Sequence, residues 1–151
     1  CYCWNETIMA QVISEFRDEY RFLSNFFYCS FYWHGFNWSS SEAAYQASKS
    51  LDYNDWVYIS KLSPAQSKKY GQQIKLREDW ETIKYEIMYQ IVYSKFSQNE
   101  LLKFRLESTE NAILEEGNTW GDKIWGICPP KSGIGQNALG NILMLVRKEL
   151  E

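Results

Sequence analysis

The chain has 151 residues, with 16 Lys and Arg against 19 Asp and Glu for a formal charge of −3, and 17% of it is aromatic. That length supports one domain with a real core, and the acidic balance argues against a protein held mainly by duplex phosphates, which would show a basic stripe. The four cysteines and the single histidine argue against a disulfide scaffold, a zinc cluster and a histidine-based triad: Cys1-Tyr2-Cys3 lacks ligand spacing, and His34 has no second imidazole to work with.

No run reads as a membrane span or a secretory signal. The expectation is a single domain over residues 1–151 in a reducing cytosol, with no metal, no cofactor and no membrane partner. The first residues, up to about residue 10, lack an initiator Met and read as a trimmed or engineered end.

In chain order, Gln11 to Phe16 alternates apolar and polar residues and predicts a strand. Arg17 to Phe26 is too polar and too aromatic for a helix core and is read as a loop. Within it Ser24 and Asn25 offer short hydrogen-bonding groups between Phe22 and Phe26, although Asn25 serves equally well as a turn residue bonding its own backbone. Phe27 to Trp33 and Phe36 to Trp38 predict two strands joined at His34-Gly35, a small antiparallel hairpin.

The next stretch, Trp38-Ser39-Ser40-Ser41-Glu42-Ala43-Ala44-Tyr45-Gln46-Ala47-Ser48-Lys49, is the least ordinary. Ser39 and Glu42 have the spacing of a capping box, which starts a helix near Ser40. Glu42, Gln46 and Lys49 then fall at i, i+4 and i+7 and share one face, while Ala43, Ala44 and Ala47 let a neighbour come close. Two readings follow. Glu42 closes a capping box beside a wet helix face, or a carboxylate, an amide and an amine line the wall of a pocket.

A short helix is predicted for Tyr53 to Lys61, and Ser63-Pro64-Ala65-Gln66 starts another with Pro in its first turn. Lys68, Lys69, Lys75 and Arg77 form a mild basic cluster, read as solvated surface. Arg77 to Phe96 is the clearest helix. Trp80, Ile83, Ile87, Ile91, Met88 and Val92 make its apolar face, Tyr85, Tyr89 and Tyr93 a second stripe, and Lys84 lies between. Ser97 to Glu100 caps a helix running to about Leu106, and Ala112 to Glu115 reads as a short strand. The glycine-punctuated stretch Gly117 to Gly126 carries Trp120, Asp122 and Trp125. Lys131 to Asn137 is a glycine-rich turn entering a final helix, a pattern that makes an anion site where the first backbone N–H groups are free. Gly140 inside that helix costs roughly 1 kcal/mol against Ala, so a close approach by a neighbour or ligand is expected there.

Taken together, these pieces resemble the NADAR family, named for association with NAD and ADP-ribose. The resemblance rests on Phe22-Leu23-Ser24-Asn25-Phe26; on Gly35 and Trp38; on Ser41-Glu42 with Tyr45-Gln46-Ala47 and Lys49; and on Gly71, Arg77, Asp79-Trp80 and Lys84. It continues through Met88, Lys95-Phe96, Trp120-Gly121-Asp122, Gly135-Gln136-Asn137, Leu139-Gly140, Leu143-Met144 and Arg147, in order from about Phe16 to Leu150. Two positions depart from the family pattern: Ser39 replaces the usual Pro, and Ala43 the usual His after the glutamate.

The resemblance implies an α+β fold, predominantly helical, with orthogonal helices and a small antiparallel sheet near the N-terminus. It implies an N-glycosidase acting at ribose. The first substrate reading is ADP-ribose on guanine bases of nucleic acid, the second a phosphorylated ribosylamino pyrimidine of riboflavin synthesis. A non-enzymatic reader of ADP-ribose is the third reading. The matched positions then take roles. Glu42 stabilises charge on the ribose, Asp122 is a second acid or a ribose-hydroxyl binder, and Lys49, with Lys84 as rival, is an amine able to attack an opened sugar. Phe22, Trp80 and Trp120 stack on a base. Ser24, Asn25, Gln46, Arg77, Gly121, Gln136, Asn137 and Gly140 complete the substrate-binding set.

Overall fold

The computed structural model describes residues 10–151. The expected strand at Gln11–Phe16 is shorter: β1 is Val12–Ile13, and it pairs in parallel with β4, Ile113–Leu114. That pairing ties the start of the described chain to the stretch after helix α5 (Glu100–Glu107) and was not expected from sequence, because neither run is long enough to show a period. The segment read as a loop contains a 3-10 helix, Asp18–Leu23, whose Phe22 and Leu23 are buried. Two apolar anchors in an otherwise polar run were enough to wind it.

The expected hairpin forms, with a first strand shorter than the expected Phe27–Trp33: β2 (Phe31–Trp33) pairs antiparallel with β3 (Phe36–Trp38), and His34 and Gly35 are both at positive φ in the turn. Its indoles build an aromatic cluster with Trp56. The rings of Trp33 and Trp56 stack at 5.6 Å, and Trp38 Nε1 donates to the Trp33 carbonyl at 2.9 Å. Gln98 closes the outer edge of β2, accepting from Tyr32 N and donating to Tyr32 O.

Helix α1 covers Ser41–Ser48, and every one of its residues is buried. Ala43, Ala44 and Ala47 have no exposed surface, which lets neighbouring helices pack closely on them. Those neighbours are α2 (Tyr53–Ile59), α3 (Pro64–Gly71) and α4 (Trp80–Ser97). The capping box of Ser63 and Gln66 at the start of α3 is present in full. The box expected at α1 is not. Ser40, one residue later than expected, accepts from Ala43 N at 3.1 Å, and the N–H of Glu42 goes to the carbonyl of Asn25 at 3.0 Å. Glu42 therefore stands in the first turn with its carboxylate free of any capping duty.

Helix α4 begins at Trp80 rather than Arg77, because Arg77 is drawn into a bidentate pair with Asp79 ahead of it. Its buried stripe includes two lysines, Lys84 and Lys95. Helix α5 is Glu100–Glu107 and α6 is Ala138–Glu149. Arg147 fastens α6 to the stretch before β4, donating to Thr109 Oγ1 and to the Ala112 carbonyl. No helix among the described residues is long and apolar enough to cross a membrane.

Candidate active site

A cavity of about 470 Å³ opens between α1, α3, the Ser24–Phe26 corner and the Gly117–Gly126 loop, within the size range of small-molecule sites. Of the residues expected to bind or act on a substrate, Ser24, Asn25, Glu42, Gln46, Trp120 and Asp122 line it. These come from three separate parts of the chain, brought together by the buried α1.

Glu42 is 7% exposed, and its Oε1 accepts from Gln46 Nε2 at 2.7 Å. A solvated helix face is thus ruled out for both side chains. Burial raises the Glu42 pKa above the usual carboxylate range, against the opposing hydrogen bond from Gln46 and the nearby charges of Lys68 and Lys49. Gln46 is in turn pressed against Gly71 of α3. Asn25 is fixed by its carbonyl on Glu42 N and by its amide on Met88 Sδ.

Lys95 holds this corner from beneath. Its buried ammonium donates to the carbonyls of Phe22 at 2.7 Å and Ser24 at 3.1 Å, and burial lowers its pKa to about 8. Asp122 is oriented by its own loop, with Oδ1 accepting from Ile124 N and Trp125 N. Asn118 grips the same residue through its backbone.

Three further features of the wall were given no substrate role from sequence. Tyr45 and Trp125 form an aromatic side, their rings edge to face at 5.4 Å and Trp125 Nε1 donating to Tyr45 Oη. Lys68, read as solvated surface, is exposed yet leans over the mouth, 5.5 Å from the Trp120 ring and 5.8 Å from that of Phe26. Arg17 and Arg21, both exposed, also line the cavity and add positive charge. The third is Glu116, whose carboxyl joins Glu42 and Asp122 in the wall. Its Oε2 has no solvent contact and no hydrogen-bond partner among the described residues. Burial, with Asp122 and Glu42 close by, pushes its pKa up to about 7. Two adjacent acids, Glu115 and Glu116, directly after the apolar run of β4 were the available signal in the sequence.

The other expected residues lie outside the wall. Lys49 sits at the C-terminus of α1, half-buried over the Tyr45 ring, and burial lowers its pKa. It remains within electrostatic reach of Glu42. Lys84 is paired with Glu81 at 2.5 Å. Phe22 belongs to the core, with the Arg105 guanidinium 4.2 Å over its ring, and Trp80 packs behind Tyr45 at 5.3 Å. Arg77 pairs with Asp79 and reaches the Ser48 carbonyl. Gly121 is a turn glycine at positive φ, and Gln136 accepts from the Tyr85 hydroxyl.

Asn137 is buried at the start of α6, bridging Leu114 O and Glu116 N. Gly140 lies against the Leu114 carbonyl, so the close approach expected there is made by backbone. The anion site expected at this helix start is filled from within. The N–H groups of Asn137, Ala138 and Leu139 bond the carbonyls of Gly126, Ile124 and Trp125. Among the described residues no three His, Cys, Asp or Glu side chains are grouped to hold a metal ion.

The NADAR domain family matches residues 12–151. A riboflavin biosynthesis protein of Vibrio vulnificus is 37% identical across 100% of this chain, which spans 42% of that longer protein. The N-glycosidase YbiA of Escherichia coli is 34% identical over 88% of this chain and 83% of its own length. The NMR structure of YbiA superposes with a TM-score of 0.81 at 33% identity, covering 95% of this chain and 87% of that one.

Proposed function

This chain belongs to the NADAR family, and from that membership we propose that it is an N-glycosidase which cleaves the bond between a ribose anomeric carbon and a nitrogen. The observation that carries the reading is the buried Glu42 carboxylate in the wall of a cavity with a cationic, aromatic mouth. As the C–N bond breaks, positive charge grows on the ribose. A carboxylate held in a low-dielectric wall stabilises that charge far better than water does. Gln46 keeps Glu42 aimed, the free Oδ2 of Asp122 suits a ribose hydroxyl, and Tyr45 and Trp120 give a planar base surfaces to stack on.

A single phosphorylated ribosylamino pyrimidine is the substrate favoured here. Related proteins carry the riboflavin biosynthesis name, the cavity is of nucleotide scale, and three cationic side chains, Arg17, Arg21 and Lys68, are among the residues that line it. ADP-ribosylated guanine is the second reading, supported by Trp120, which is 64% exposed beside Lys68 and can meet a base from outside. The deciding experiment incubates the protein with each compound and follows the products by mass spectrometry. Release of free pyrimidine amine supports the first reading, and release of ADP-ribose from a guanine oligonucleotide the second. Tight binding of ADP-ribose with no cleavage of either compound would identify a reader module instead.

A further inference from the structure

Resting on the N-glycosidase reading, we infer that Glu116 is the general acid, delivering its carboxyl proton to the departing nitrogen while Glu42 faces the ribose. The geometry is specific. Glu116 leaves β4 with its backbone locked on both sides. Its N–H is held by Asn137 Oδ1 at 3.0 Å, and its carbonyl accepts from Ile127 N at 2.9 Å and from Asn118 Nδ2. Gly126 packs directly on that carbonyl, where a Cβ would stand 2.0 Å away. The side chain so fixed reaches the cavity wall with one oxygen sealed from water and unpartnered among the described residues. An unpaired buried oxygen is tolerable when it carries a proton and expensive when it carries charge.

The charged groups facing it are Glu42 from α1, Lys68 from α3, Lys95 from α4 and Asp122 from its own loop. Burial and the two acids outweigh the two lysines, so the carboxyl holds its proton to about pH 7. Two carboxyls sharing one cavity, both with raised pKa, supply the acid and the stabilising carboxylate that glycoside cleavage needs.

The step balances. The C–N bond breaks with its electron pair passing to nitrogen, which takes the Glu116 proton. Water adds to the ribosyl cation and gives its own proton to Glu42. Transfer of that proton back to Glu116, directly or through solvent, restores the starting state. Neither oxidant nor co-reactant is required.

The test compares two substrates: a ribosylamino pyrimidine phosphate, and its nitro-substituted analogue, whose weakly basic amine leaves without protonation. For Glu116→Gln, kcat/KM is expected to fall by roughly 100-fold or more on the first and by less than about 10-fold on the second. The wild-type rate is expected to fall as Glu116 ionises above about pH 7, and that fall should be absent from the same variant. Equal losses on both substrates, with the alkaline limb kept, would overturn the assignment and leave Glu116 a structural group. Should Glu116→Gln fail to fold, the wild-type rate across a series of leaving amines decides. A weak dependence on amine basicity supports proton delivery, and a steep one overturns it. Cleavage of neither these compounds nor ADP-ribosylated guanine by the wild-type protein would instead sink the N-glycosidase reading itself.

Discussion

Gln46 holds Glu42 across one turn of α1, its Nε2 donating to Oε1 at 2.7 Å, while the far end of the same amide rests where a Cβ on Gly71 would lie, 1.8 Å from Gln46 Oε1. The absence of a side chain at Gly71 thus sets the position of the carboxylate through one intermediary.

Gly71→Ala must displace the Gln46 amide. That amide is the tip of a flexible side chain, so the fold should survive and the consequence falls on Glu42. Turnover is expected to drop by on the order of 10- to 100-fold with little change in melting temperature, since a misplacement of about 1 Å is enough for such a loss. Unchanged turnover in this variant would mean that Gln46 does not control Glu42.

Lys95 offers a second handle, acting through the backbone of Phe22 and Ser24. Lys95→Met removes the donor for two carbonyls while keeping most of the packing volume. A destabilisation of about 2–4 kcal/mol is expected in urea titration, the consequence of orphaned acceptors in a buried corner. Wild-type stability would show that water takes over both bonds.

The raised pKa of Glu116 makes stability depend on pH. The unfolded carboxyl titrates near 4.5 and the folded one near 7, so its contribution is fully present below pH 4.5 and is lost as pH rises through 7. Glu116→Gln escapes that loss. Its melting temperature should exceed that of the wild-type protein at pH 8, with the gap closing as the pH falls to 4.5. A gap independent of pH would place the Glu116 carboxyl in a more solvated setting.

Burial lowers the Lys49 pKa against the opposing charge of nearby Glu42, and that lowering favours the neutral amine as a nucleophile toward a sugar opened after base departure. Borohydride added during turnover is expected to trap a ribose adduct on Lys49. Lys49→Ala and Lys49→Arg should both abolish it. An adduct on Lys84 would move the role to that residue, against its pairing with Glu81. Turnover without any adduct would leave Lys49 outside the reaction.

The sequence was most legible where a local rule acts alone. The hairpin turn at His34-Gly35, the capping box of Ser63 and Gln66 and the apolar stripe of α4 all appear close to where they were expected. It was least legible where long-range contacts decide. The parallel pairing of Val12 with Ile113 joins residues about a hundred positions apart and leaves no periodic trace. Likewise, the serine run before α1 predicts a cap, but whether Ser39 or Ser40 supplies it depends on Asn25, which takes up the Glu42 N–H from another segment. The site divides in the same way. Glu42, Gln46 and Asp122 stand in recognisable spacings. Glu116 and Lys68 look like ordinary surface charges until the fold brings them to the cavity. Asn137 and Gly140, expected to meet substrate, pack instead on the backbone beside Glu116.

The central claim is that the Glu42 carboxylate stabilises charge on the ribose during bond cleavage, and Glu42→Gln tests it most directly. Gln keeps the shape and leaves the cap of α1 intact, because Ser40 supplies that cap. Single-turnover rates should fall by about 10²–10³, as when one charge-stabilising group is removed from a preorganised site, while substrate Kd changes by only a few-fold. A Glu42→Gln protein that cleaves its substrate at the wild-type rate would contradict the account.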